Sequence, residues 1–538
     1  MVRTAQRLLW TTALLLILIF TSPLYTSTPP RLIVLISVDQ MRGDYPDRWN
    51  PFWTGGLRRL LTQGRSFTNC FYEHANTQTG PGHATLITGT YPAQHSIVTN
   101  TFYDRNTHHI FYCVTDSLEW RKGQHLLAPT FLKTPALGDL LKATQPSARV
   151  VSIAHKDRVA ILMGGHAADL VLWFDRHAGT WGHSRYYGDS IPAWVRWWNR
   201  QFPAARWQHW QWTPAGSLAM YATADSVDWE GTFPGGDRQF PHTLPDTSNR
   251  NTFLKAYLCS PPAIEDVFLL AEAAVLAEGL GRDTIPDLLL LGVSAPDYLG
   301  HRFGPDSREI AEMFLFLDRR LGKFLSFLDS TVADYLVVLT SDHGVCPIPE
   351  YLQKLELNAG RLVEDSIITF VEQKLRRHFG IPDTPWVEAF IPPSLFLNRS
   401  AAQQVDADWK QVIDSVLVWL SWYRGISLAI TPEELLNPQC PLLPQQKRWL
   451  GNDVYPGRTG DILVQPQPFW IFDHRTAMHG SWYEYDRYVP LIFYGKGVQQ
   501  GRITTRCEPI DIVPTLLHLL DIPLPSWLHG SVLPLQSP

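Results

Sequence analysis

Residues 32–39 read Leu-Ile-Val-Leu-Ile-Ser-Val-Asp, and this stretch decides the fold of the 538-residue chain. A nearly continuous apolar run predicts a strand that is buried on both faces, and Asp39 follows it at once. Helical patterns, with apolar residues at three- and four-residue steps, occupy 310–328 and 512–520. Four later apolar runs resemble the first: 150–154, 288–294, 335–340 and 491–494. Strands that alternate with helices predict an α/β fold with a mostly parallel sheet covered on both faces.

Two long intervals interrupt this alternation, at 159–285 and 347–470. We interpret both as insertions that cap a core domain spanning 31–525, which a C-terminal tail follows at 526–538. The first interval is dense in tryptophan. These rings could line a ligand groove, but we favour packing of the cap's own small core, because aromatic burial dominates such cores.

The N-terminal residues 1–30 predict a secretory signal peptide. Arg3 and Arg7 give a positive start, 8–20 is mostly apolar, and 22–30 is small, polar and proline-bearing. The apolar run is short for a transmembrane helix, which needs about 20 apolar residues, although an uncleaved anchor stays the alternative. We therefore expect an exported protein, periplasmic or secreted, with no other membrane-spanning segment.

The composition is that of a globular protein, with 45% hydrophobic and 18% charged residues. A net charge of −5 gives no electrostatic case for nucleic acid as a bulk partner. The six cysteines are scattered without a C-x-x-C pair, which argues against structural zinc held by thiolates. In an exported protein they permit disulfides, and the sequence leaves their pairing open, as it does the oligomeric state.

Polar side chains follow the predicted strands at the point where each strand ends. In chain order, these residues are Asp39, Lys156, Arg158, Asp297, Asp342 and His343. In parallel α/β sheets, ligands bind at the carboxyl ends of the strands. Carboxylates, imidazoles and cations at four strand ends therefore predict one assembled site.

Six potential metal ligands lie at or near these strand ends: Asp39, Asp297, His301, Asp342, His343 and His479. Magnesium and calcium favour oxygen ligands, so three histidines argue for zinc. Six ligands divide into two sites of three. Two metals about 4 Å apart can stabilise both the entering and the leaving oxygen of a phosphoryl displacement. We therefore expect two Zn²⁺ ions as cofactors.

Residues 76–85, Asn-Thr-Gln-Thr-Gly-Pro-Gly-His-Ala-Thr, place Thr79 in a glycine-rich turn, just before a helix expected to begin at Ala84. A helix N-terminus presents free N–H groups and a partial positive charge, which suit a phosphate. Thr79 could simply cap the helix. Next to six metal ligands, we favour Thr79 as a nucleophile that a metal or a base activates.

Three further residues could bind phosphate oxygens. Arg158 can clamp two oxygens at once and Lys156 adds a point charge, whereas Asn100 is an uncharged donor. The alternative for Lys156 and Arg158 is an ordinary exposed charge cluster.

These motifs together resemble the alkaline phosphatase superfamily over about residues 31–525. The motifs that carry the resemblance are Val38-Asp39-Gln40-Met41-Arg42, Thr79-Gly80-Pro81-Gly82-His83-Ala84, Asp297-Tyr298-Leu299-Gly300-His301, Ser341-Asp342-His343-Gly344, His479-Gly480 and Asp511-Ile512-Val513-Pro514-Thr515-Leu516-Leu517. Within the superfamily the chain is most similar to the phosphate-irrepressible alkaline phosphatases, which use a threonine nucleophile. Type I phosphodiesterases and nucleotide pyrophosphatases are close relatives. The resemblance implies a three-layer sandwich with inserted cap segments.

The resemblance also implies how the site residues divide. It assigns one zinc to Asp297, His301 and His479. It assigns the other zinc to Asp39, Asp342 and His343, with Thr79 bound to it. It assigns the non-bridging phosphate oxygens to Asn100, Lys156 and Arg158. A third, magnesium site is not expected, because the two cations do not lie in the helix after the nucleophile.

We therefore expect a zinc-dependent alkaline phosphatase that hydrolyses phosphate monoesters through a phosphothreonine intermediate. Lys156 and Arg158 match the two charges of a monoester dianion, and a diester carries one charge fewer. The nearest alternative is a phosphodiesterase or nucleotide pyrophosphatase on the same site. A second alternative, of another class, is a non-catalytic, metal-stabilised surface binding protein.

Overall fold

The computed structural model describes residues 28–536, so the predicted signal peptide falls almost wholly outside the described residues. Within that range, a nine-stranded sheet forms the centre of the protein. Its strands, in spatial order, are Gly501–Ile503, Arg65–Phe71, Tyr488–Gly495, Tyr335–Thr340, Leu32–Val38, Asp287–Val293, Val150–Ala154, Leu170–Asp175 and Thr180–Gly182.

Leu32–Val38 lies at the centre of this sheet, as its apolar sequence predicts, and all of its residues are buried. It pairs in parallel with Asp287–Val293 on one side and with Tyr335–Thr340 on the other. The parallel pairing continues through Val150–Ala154 to Leu170–Asp175. The carboxyl ends of these five strands therefore lie along one edge of the sheet.

Tyr488–Gly495 departs from the parallel pattern. It pairs antiparallel with both of its neighbours, Tyr335–Thr340 and Arg65–Phe71. The sequence predicted only 491–494 as a strand, because Pro490 interrupts the apolar run and a proline argues against a strand interior. Its neighbour Arg65–Phe71 was not predicted, because its sequence is partly polar. The other four predicted strands agree with the structure to within one residue. The mostly parallel α/β sheet is confirmed.

Alternating residues of the central strand separate two hydrophobic cores. Leu32, Val34 and Ile36 pack into one core, and Ile33 and Leu35 pack into the other. The helices over the first core are Tyr45–Trp49, Gly56–Gln63, Ala193–Gln201, Arg250–Leu258, Pro261–Glu278, Ala295–Phe303 and Arg308–Thr331. The helices over the second core are Thr79–Thr88, Leu137–Thr144, Asp157–Gly164 and Ile512–Leu519. Helices on both faces of the sheet give the predicted three layers.

Residues 360–472 form a smaller unit with a hydrophobic core of its own. Its antiparallel sheet contains, in spatial order, Val387–Ile391, Ser394–Leu397, Ile462–Pro466 and Ile426–Ile430. Its helices are Glu364–Phe379, Arg399–Gln404 and Trp409–Ser421. This unit overlaps the interval 347–470, and the exact domain boundaries stay predictions.

The interval 159–285 is not wholly an insertion, and this expectation needs correction. Leu170–Asp175 is a strand of the central sheet, and the helices Asp157–Gly164 and Pro261–Glu278 cover that sheet. The strand was missed because its aromatic residues were grouped with the tryptophan-dense sequence that follows it. Only the middle of the interval lies outside the sheet and its covering helices.

Most tryptophans of this interval pack against the main core rather than forming a separate one. Trp181, Trp198 and Trp212 are buried in the same cluster as the central strand. Among residues 28–536, no tryptophan lines the large cavity described below. The predicted tail is also packed, because Leu533 and Leu535 are buried in the core on the opposite face of the sheet.

Short elements complete the described chain. The two-stranded pairs are Thr101–Asp104 with His109–Tyr112, Gln211–Trp212 with His242–Thr243, and Gly360–Leu362 with Trp470–Phe472. The short α-helices are Pro92–His95, Ser117–Trp120, Pro349–Lys354, Pro444–Gly451 and Glu484–Arg487. Between residues 28 and 536, every helix is too short or too polar to cross a membrane.

Candidate active site

The carboxyl ends of the parallel strands bring the predicted metal ligands together. Asp39 directly follows Leu32–Val38, while Asp297 lies in the first turn of the helix Ala295–Phe303. His479 comes from the loop before the antiparallel strand. The side chains of all these residues are buried or nearly so.

One group of potential ligands contains Asp297, His301 and His479, whose ligand atoms all lie within 4.8 Å of one another. His301 lies one helical turn after Asp297, and its Nε2 is 3.2 Å from Asp297 Oδ1. His479 Nε2 lies 3.6 Å from the same oxygen. The weak sequence signal of an Asp and a His four residues apart therefore gains a third ligand from a distant loop.

The second group contains Asp39, Asp342 and His343, again with all ligand atoms within 4.8 Å. His343 Nε2 lies 3.1 Å from Asp342 Oδ2 and 3.6 Å from Asp39 Oδ1. The rings of His343 and His479 stack with centroids 3.5 Å apart. The two groups are therefore adjacent, as a two-metal site requires.

Backbone carbonyls orient all three histidines in the same way. The Nδ1 atoms of His301, His343 and His479 each donate to a carbonyl oxygen, at 2.8, 2.9 and 2.7 Å. This bond places the proton on Nδ1 and leaves the Nε2 lone pair facing the carboxylates. Metal-binding histidines in proteins are held in this way.

The buried carboxylates also fit bound cations. Asp39 Oδ1 and Asp342 Oδ2 are buried without a hydrogen-bond donor. Burial, together with the charges of Asp297 and Asp342, raises the pKa of Asp39 to about 7. Burial of several carboxylates close together costs free energy unless positive charges neutralise them. The donor set of three aspartates and three histidines fits zinc.

The histidines differ in whether a metal ion would have to displace a proton in order to bind. Burial lowers the pKa of His479 to about 3, so its ring is neutral and ready to bind. Burial also disfavours a charged His343, but Asp342 outweighs this effect and raises its pKa to about 9. Metal binding at the second group therefore releases a proton, as is usual for protein metal sites.

Thr79 is the first residue of the helix Thr79–Thr88, and it does not cap that helix. The helix begins earlier than the expected Ala84, and Gln78 occupies the cap position without a side-chain cap bond. Thr79 Oγ1 instead lies 3.4 Å from His343 Nε2. The hydroxyl therefore points at the second metal group from a helix N-terminus, where free N–H groups attract anions.

The helix can start this close to the metal groups because Gly82 has no side chain. A Cβ at this position would lie 2.2 Å from the backbone oxygen of Asp342. The glycine-rich sequence thus permits close approach of the helix to a strand end, rather than a turn before the helix.

Both predicted cations reach Thr79. Lys156 Nζ and Arg158 Nη2 each lie 3.4 Å from Thr79 Oγ1. Lys156 also lies between the two metal groups, 2.7 Å from Asp39 Oδ2 and 2.5 Å from Asp297 Oδ2. Burial opposes its charge, but the two carboxylates outweigh burial and raise the pKa of Lys156. The alternative of an exposed charge cluster is therefore wrong.

Asn100 joins this group from a loop. Its Oδ1 accepts a hydrogen bond of 2.7 Å from the backbone N–H of Gly80, next to Thr79. The bond leaves the Nδ2 hydrogens of Asn100 free to donate into the cavity, which Asn100 lines. The structure thus brings all ten predicted site residues together.

Three residues that support the site were not predicted: Gln40 and His83, which lie inside the quoted motifs, and Tyr112, which lies outside them. Gln40 donates from Nε2 to Asp297 Oδ1 at 2.9 Å and from its backbone N–H to Asp342 Oδ1 at 3.2 Å, so it links the two metal groups. His83 Nδ1 lies 3.3 Å from Asp342 Oδ2. Tyr112 accepts a hydrogen bond from Arg158 at 3.3 Å. Only their proximity to the motifs could have indicated Gln40 and His83.

A cavity of about 960 Å³ opens above these residues. Thr79, Asn100, Lys156 and Arg158 lie at its floor with the first metal group, which a substrate entering the cavity would meet. Its remaining walls contain apolar residues, two carboxylates and further cations: Ile110, Phe390, Ile391, Phe472, Glu364, Asp473, Arg176, Lys255, Arg302 and Arg475. The site is therefore open to ligands that are larger than a phosphate ion.

Known proteins resemble this chain over almost its whole length. The chain is 31% identical to alkaline phosphatase PhoV of Synechococcus elongatus, over 94% of this chain and 93% of that protein. It is 30% identical to alkaline phosphatase PafA of Elizabethkingia meningoseptica, over 93% of each chain. The crystal structure of wild-type PafA superposes with a TM-score of 0.87 at 28% identity, over 94% of this chain and 99% of that one.

The superposition confirms the alkaline-phosphatase-like fold. The family profile described as type I phosphodiesterase / nucleotide pyrophosphatase matches residues 33–486. The predicted resemblance is confirmed on both counts. The chain therefore belongs to the type I phosphodiesterase / nucleotide pyrophosphatase family of the alkaline phosphatase superfamily.

Proposed function

We propose that this protein is a zinc-dependent alkaline phosphatase that hydrolyses phosphate monoesters through a phosphothreonine intermediate. The observation that carries the proposal is the position of Thr79 Oγ1, 3.4 Å from each of Lys156 Nζ, Arg158 Nη2 and His343 Nε2. A hydroxyl at a helix N-terminus, beside a metal group and two cations, is placed for attack on a bound phosphate. The alkaline phosphatase relatives support the same activity.

Two zinc ions, held by the groups of Asp297 and of Asp39, would supply Lewis acidity to the entering and leaving oxygens. Thr79 Oγ1 attacks phosphorus in line, the alcohol leaves, and water then cleaves the phosphothreonine to release phosphate. Lys156 and Arg158 hold the non-bridging oxygens of the phosphoryl group, and Asn100 Nδ2 donates to them. Thr79 releases its proton to water, and the two adjacent cations stabilise the resulting oxyanion. The departing alcohol oxygen takes up a proton from water, so the net reaction consumes one water.

Lys156 and Arg158 favour a monoester over a diester. A monoester dianion carries two charges on its non-bridging oxygens, and each cation can neutralise one of them. A diester carries one charge and replaces an oxygen with a substituted one, so it gains less from the pair.

A comparison of matched substrates tests this proposal. We expect the zinc-loaded protein to hydrolyse an aryl phosphate with a higher kcat/KM than the methyl diester of the same phosphate. Thr79→Ala should remove most turnover while both zinc ions stay bound, and Thr88→Ala, at the far end of the same helix, should retain it. Full activity in the Thr79→Ala protein would contradict the threonine nucleophile.

The diesterase alternative rests on the apolar side of the cavity. Phe390 and Phe472 contact each other edge to face, with centroids 5.7 Å apart, and could receive a second substituent. A higher kcat/KM for the methyl diester would favour this alternative. Zinc binding without hydrolysis of either ester would favour a non-catalytic binding protein.

We also propose that the protein is exported, periplasmic or secreted. The proposal rests on the signal-like sequence of residues 1–30. N-terminal sequencing of the mature protein tests it, because a cleaved signal peptide would give an N-terminus near residue 30, whereas an uncleaved anchor would leave Met1 or Val2 first.

A further inference from the structure

Besides Arg475, three cations line the cavity beyond the residues that hold the reacting phosphate. Arg176 follows a strand of the central sheet, whereas Lys255 and Arg302 lie on the helices Arg250–Leu258 and Ala295–Phe303. We call Arg176, Lys255 and Arg302 the cationic wall. None of them is among the residues that the proposed mechanism uses.

Tyr298 connects the cationic wall to the catalytic residues. The Tyr298 ring centroid lies 5.3 Å from Lys156 Nζ. Tyr298 and the three cations of the wall line the same cavity as Lys156 and Arg158. Cys259 donates to the Tyr298 carbonyl at 3.5 Å, and burial raises the pKa of Cys259 to about 11 against the opposing charge of Arg302. The wall therefore continues directly from the phosphate-binding groups.

The charge of the cationic wall is not neutralised by the protein. Within residues 28–536, no carboxylate oxygen lies within 4.0 Å of a charged nitrogen of Arg176, Lys255 or Arg302, although Glu364 lines the same cavity. Arg302 Nη1 donates to the Thr232 carbonyl oxygen at 3.3 Å, a contact that leaves its charge in place. Arg475, which also lines the cavity, differs because it pairs with Asp473 at 3.0 Å. The positive charge of the wall is thus available to a ligand.

The size of the cavity fits a ligand that reaches both Thr79 and the cationic wall. Its volume of about 960 Å³ lies near the upper end of the roughly 300–1,000 Å³ that is typical of small-molecule sites. A phosphoryl group bound at Thr79 fills only the floor. The rest of a small organic phosphate would extend along the wall.

We propose that the cationic wall binds a second phosphate, so that the preferred substrates are small organic bisphosphates. The inference rests on the proposed phosphatase function and specifies its substrate class. Arg176 and Arg302 offer paired N–H groups to phosphate oxygens, and Lys255 adds a point charge. Hydrolysis consumes one water, releases one inorganic phosphate from the floor, and leaves a hydroxyl on the product, which keeps its second phosphate at the wall.

Alkanediol phosphates test the inference directly. The substrates are propanediol, butanediol and hexanediol, each phosphorylated at one or at both terminal hydroxyls, and the measurement is kcat/KM for phosphate release. A bisphosphate has about a twofold statistical advantage in kcat/KM, because either of its two equivalent phosphates can react. At one spacer length we expect kcat/KM for the bisphosphate to exceed that for the monophosphate by roughly 10- to 100-fold, which is the effect of one charge-assisted hydrogen bond.

The triple variant Arg176→Ala, Lys255→Ala, Arg302→Ala should reduce the preference to that twofold advantage. The ratio of the two substrates is the readout, so a loss that both substrates share does not affect it. A matched triple variant removes three exposed arginines that do not line the cavity: Arg200, Arg319 and Arg377. This control has the same change in net charge and should keep the wild-type ratio.

The outcomes separate the two proposals. If the monophosphates are hydrolysed but the wild-type ratio stays near twofold at every spacer length, the bisphosphate inference is wrong and the phosphatase proposal stands. An unchanged ratio in the wall variant would also overturn the inference. If a diol monophosphate with a terminal carboxylate is preferred equally, the wall does not select a phosphate. If none of the monophosphates is hydrolysed, the phosphatase proposal itself fails.

Discussion

Replacing Lys156 with methionine removes one buried positive charge and keeps much of the side-chain volume. The Lys156 side chain is only 3% exposed, and its Nζ lies 2.7 Å from Asp39 Oδ2, 2.5 Å from Asp297 Oδ2 and 3.4 Å from Thr79 Oγ1. The substitution therefore tests whether Lys156 binds the transferred phosphoryl group.

The expected effect follows from the number of charges on the substrate. A hydrogen bond to a charged group contributes about 1.5–3 kcal/mol, and removal of one oxyanion donor in an enclosed site costs about 10²- to 10³-fold in kcat. Lys156→Met should therefore lower kcat/KM for a monoester by about 10²- to 10³-fold. A methyl diester has one charge fewer and should lose about tenfold or less, so the ratio of the two substrates should fall by at least about tenfold.

The assay measures kcat/KM for an aryl phosphate and its methyl diester, together with the zinc content of each preparation. Zinc content matters because Asp39 and Asp297 each lose an ionic partner in the variant. Lys142→Met is a matched control, since Lys142 also pairs with a carboxylate, Asp169 at 2.8 Å, but does not line the cavity. An equal loss for both esters, with two zinc ions still bound, would refute the role given to Lys156.

Three further changes have expected outcomes. Gln40→Ala removes the 2.9 Å hydrogen bond to Asp297 and should weaken zinc binding by about 10- to 100-fold. Competition with a chelator measures this affinity, and a value equal to wild type would contradict a role for the bond. Gly82→Ala places a Cβ 2.2 Å from a backbone oxygen and should lower both Tm and activity, whereas Gly451→Ala, with nothing within 4 Å, should change neither. Burial raises the pKa of Glu309 from its ordinary 4.5 to about 8, so the folded protein keeps a proton that the unfolded chain loses above pH 4.5. The free energy of unfolding should consequently fall as the pH rises from about 4.5 to 8, and urea titrations of Glu309→Gln should show a smaller fall over this window.

The central sheet could be predicted because its strands carry their own signal. Leu32–Val38 and Tyr335–Thr340 are buried on both faces, so their sequences are apolar throughout and their bounds are visible. Arg65–Phe71 lies towards the edge of the sheet and has a mixed sequence that gives no such signal. Leu170–Asp175 is apolar, but the aromatic residues in it resemble the sequence that follows. What the sequence lacks is information on which strands are neighbours.

The candidate site, like the sheet, could be predicted only in part. Strand ends and short motifs identified the residue types, because metal ligands and a nucleophile need particular atoms. The distances could not be predicted, since Asp297 and His479 are brought together only by the fold. The contact between the Gln40 amide and Asp297 could not be predicted either. Gln40 has a positive φ of 67°, a backbone conformation that the sequence did not indicate. The position of Lys156 between the metal groups also depends on packing of three separate strand ends.

That position of Lys156 bears on why the proposed enzyme would favour monoesters. Three buried aspartates oppose the four positive charges of two zinc ions, and the charges of Lys156 and Arg158 add two more. Loss of the Thr79 proton in the proposed mechanism removes one, which leaves a net charge of about +2 at the floor of the cavity. A monoester dianion neutralises this charge, whereas a diester leaves one positive charge uncompensated in a site with little water. Without Lys156 the net charge at the floor falls to about +1. A diester monoanion neutralises this charge, whereas a monoester dianion leaves about one negative charge uncompensated. The variant should therefore shift the preference towards diesters, and not merely slow both reactions.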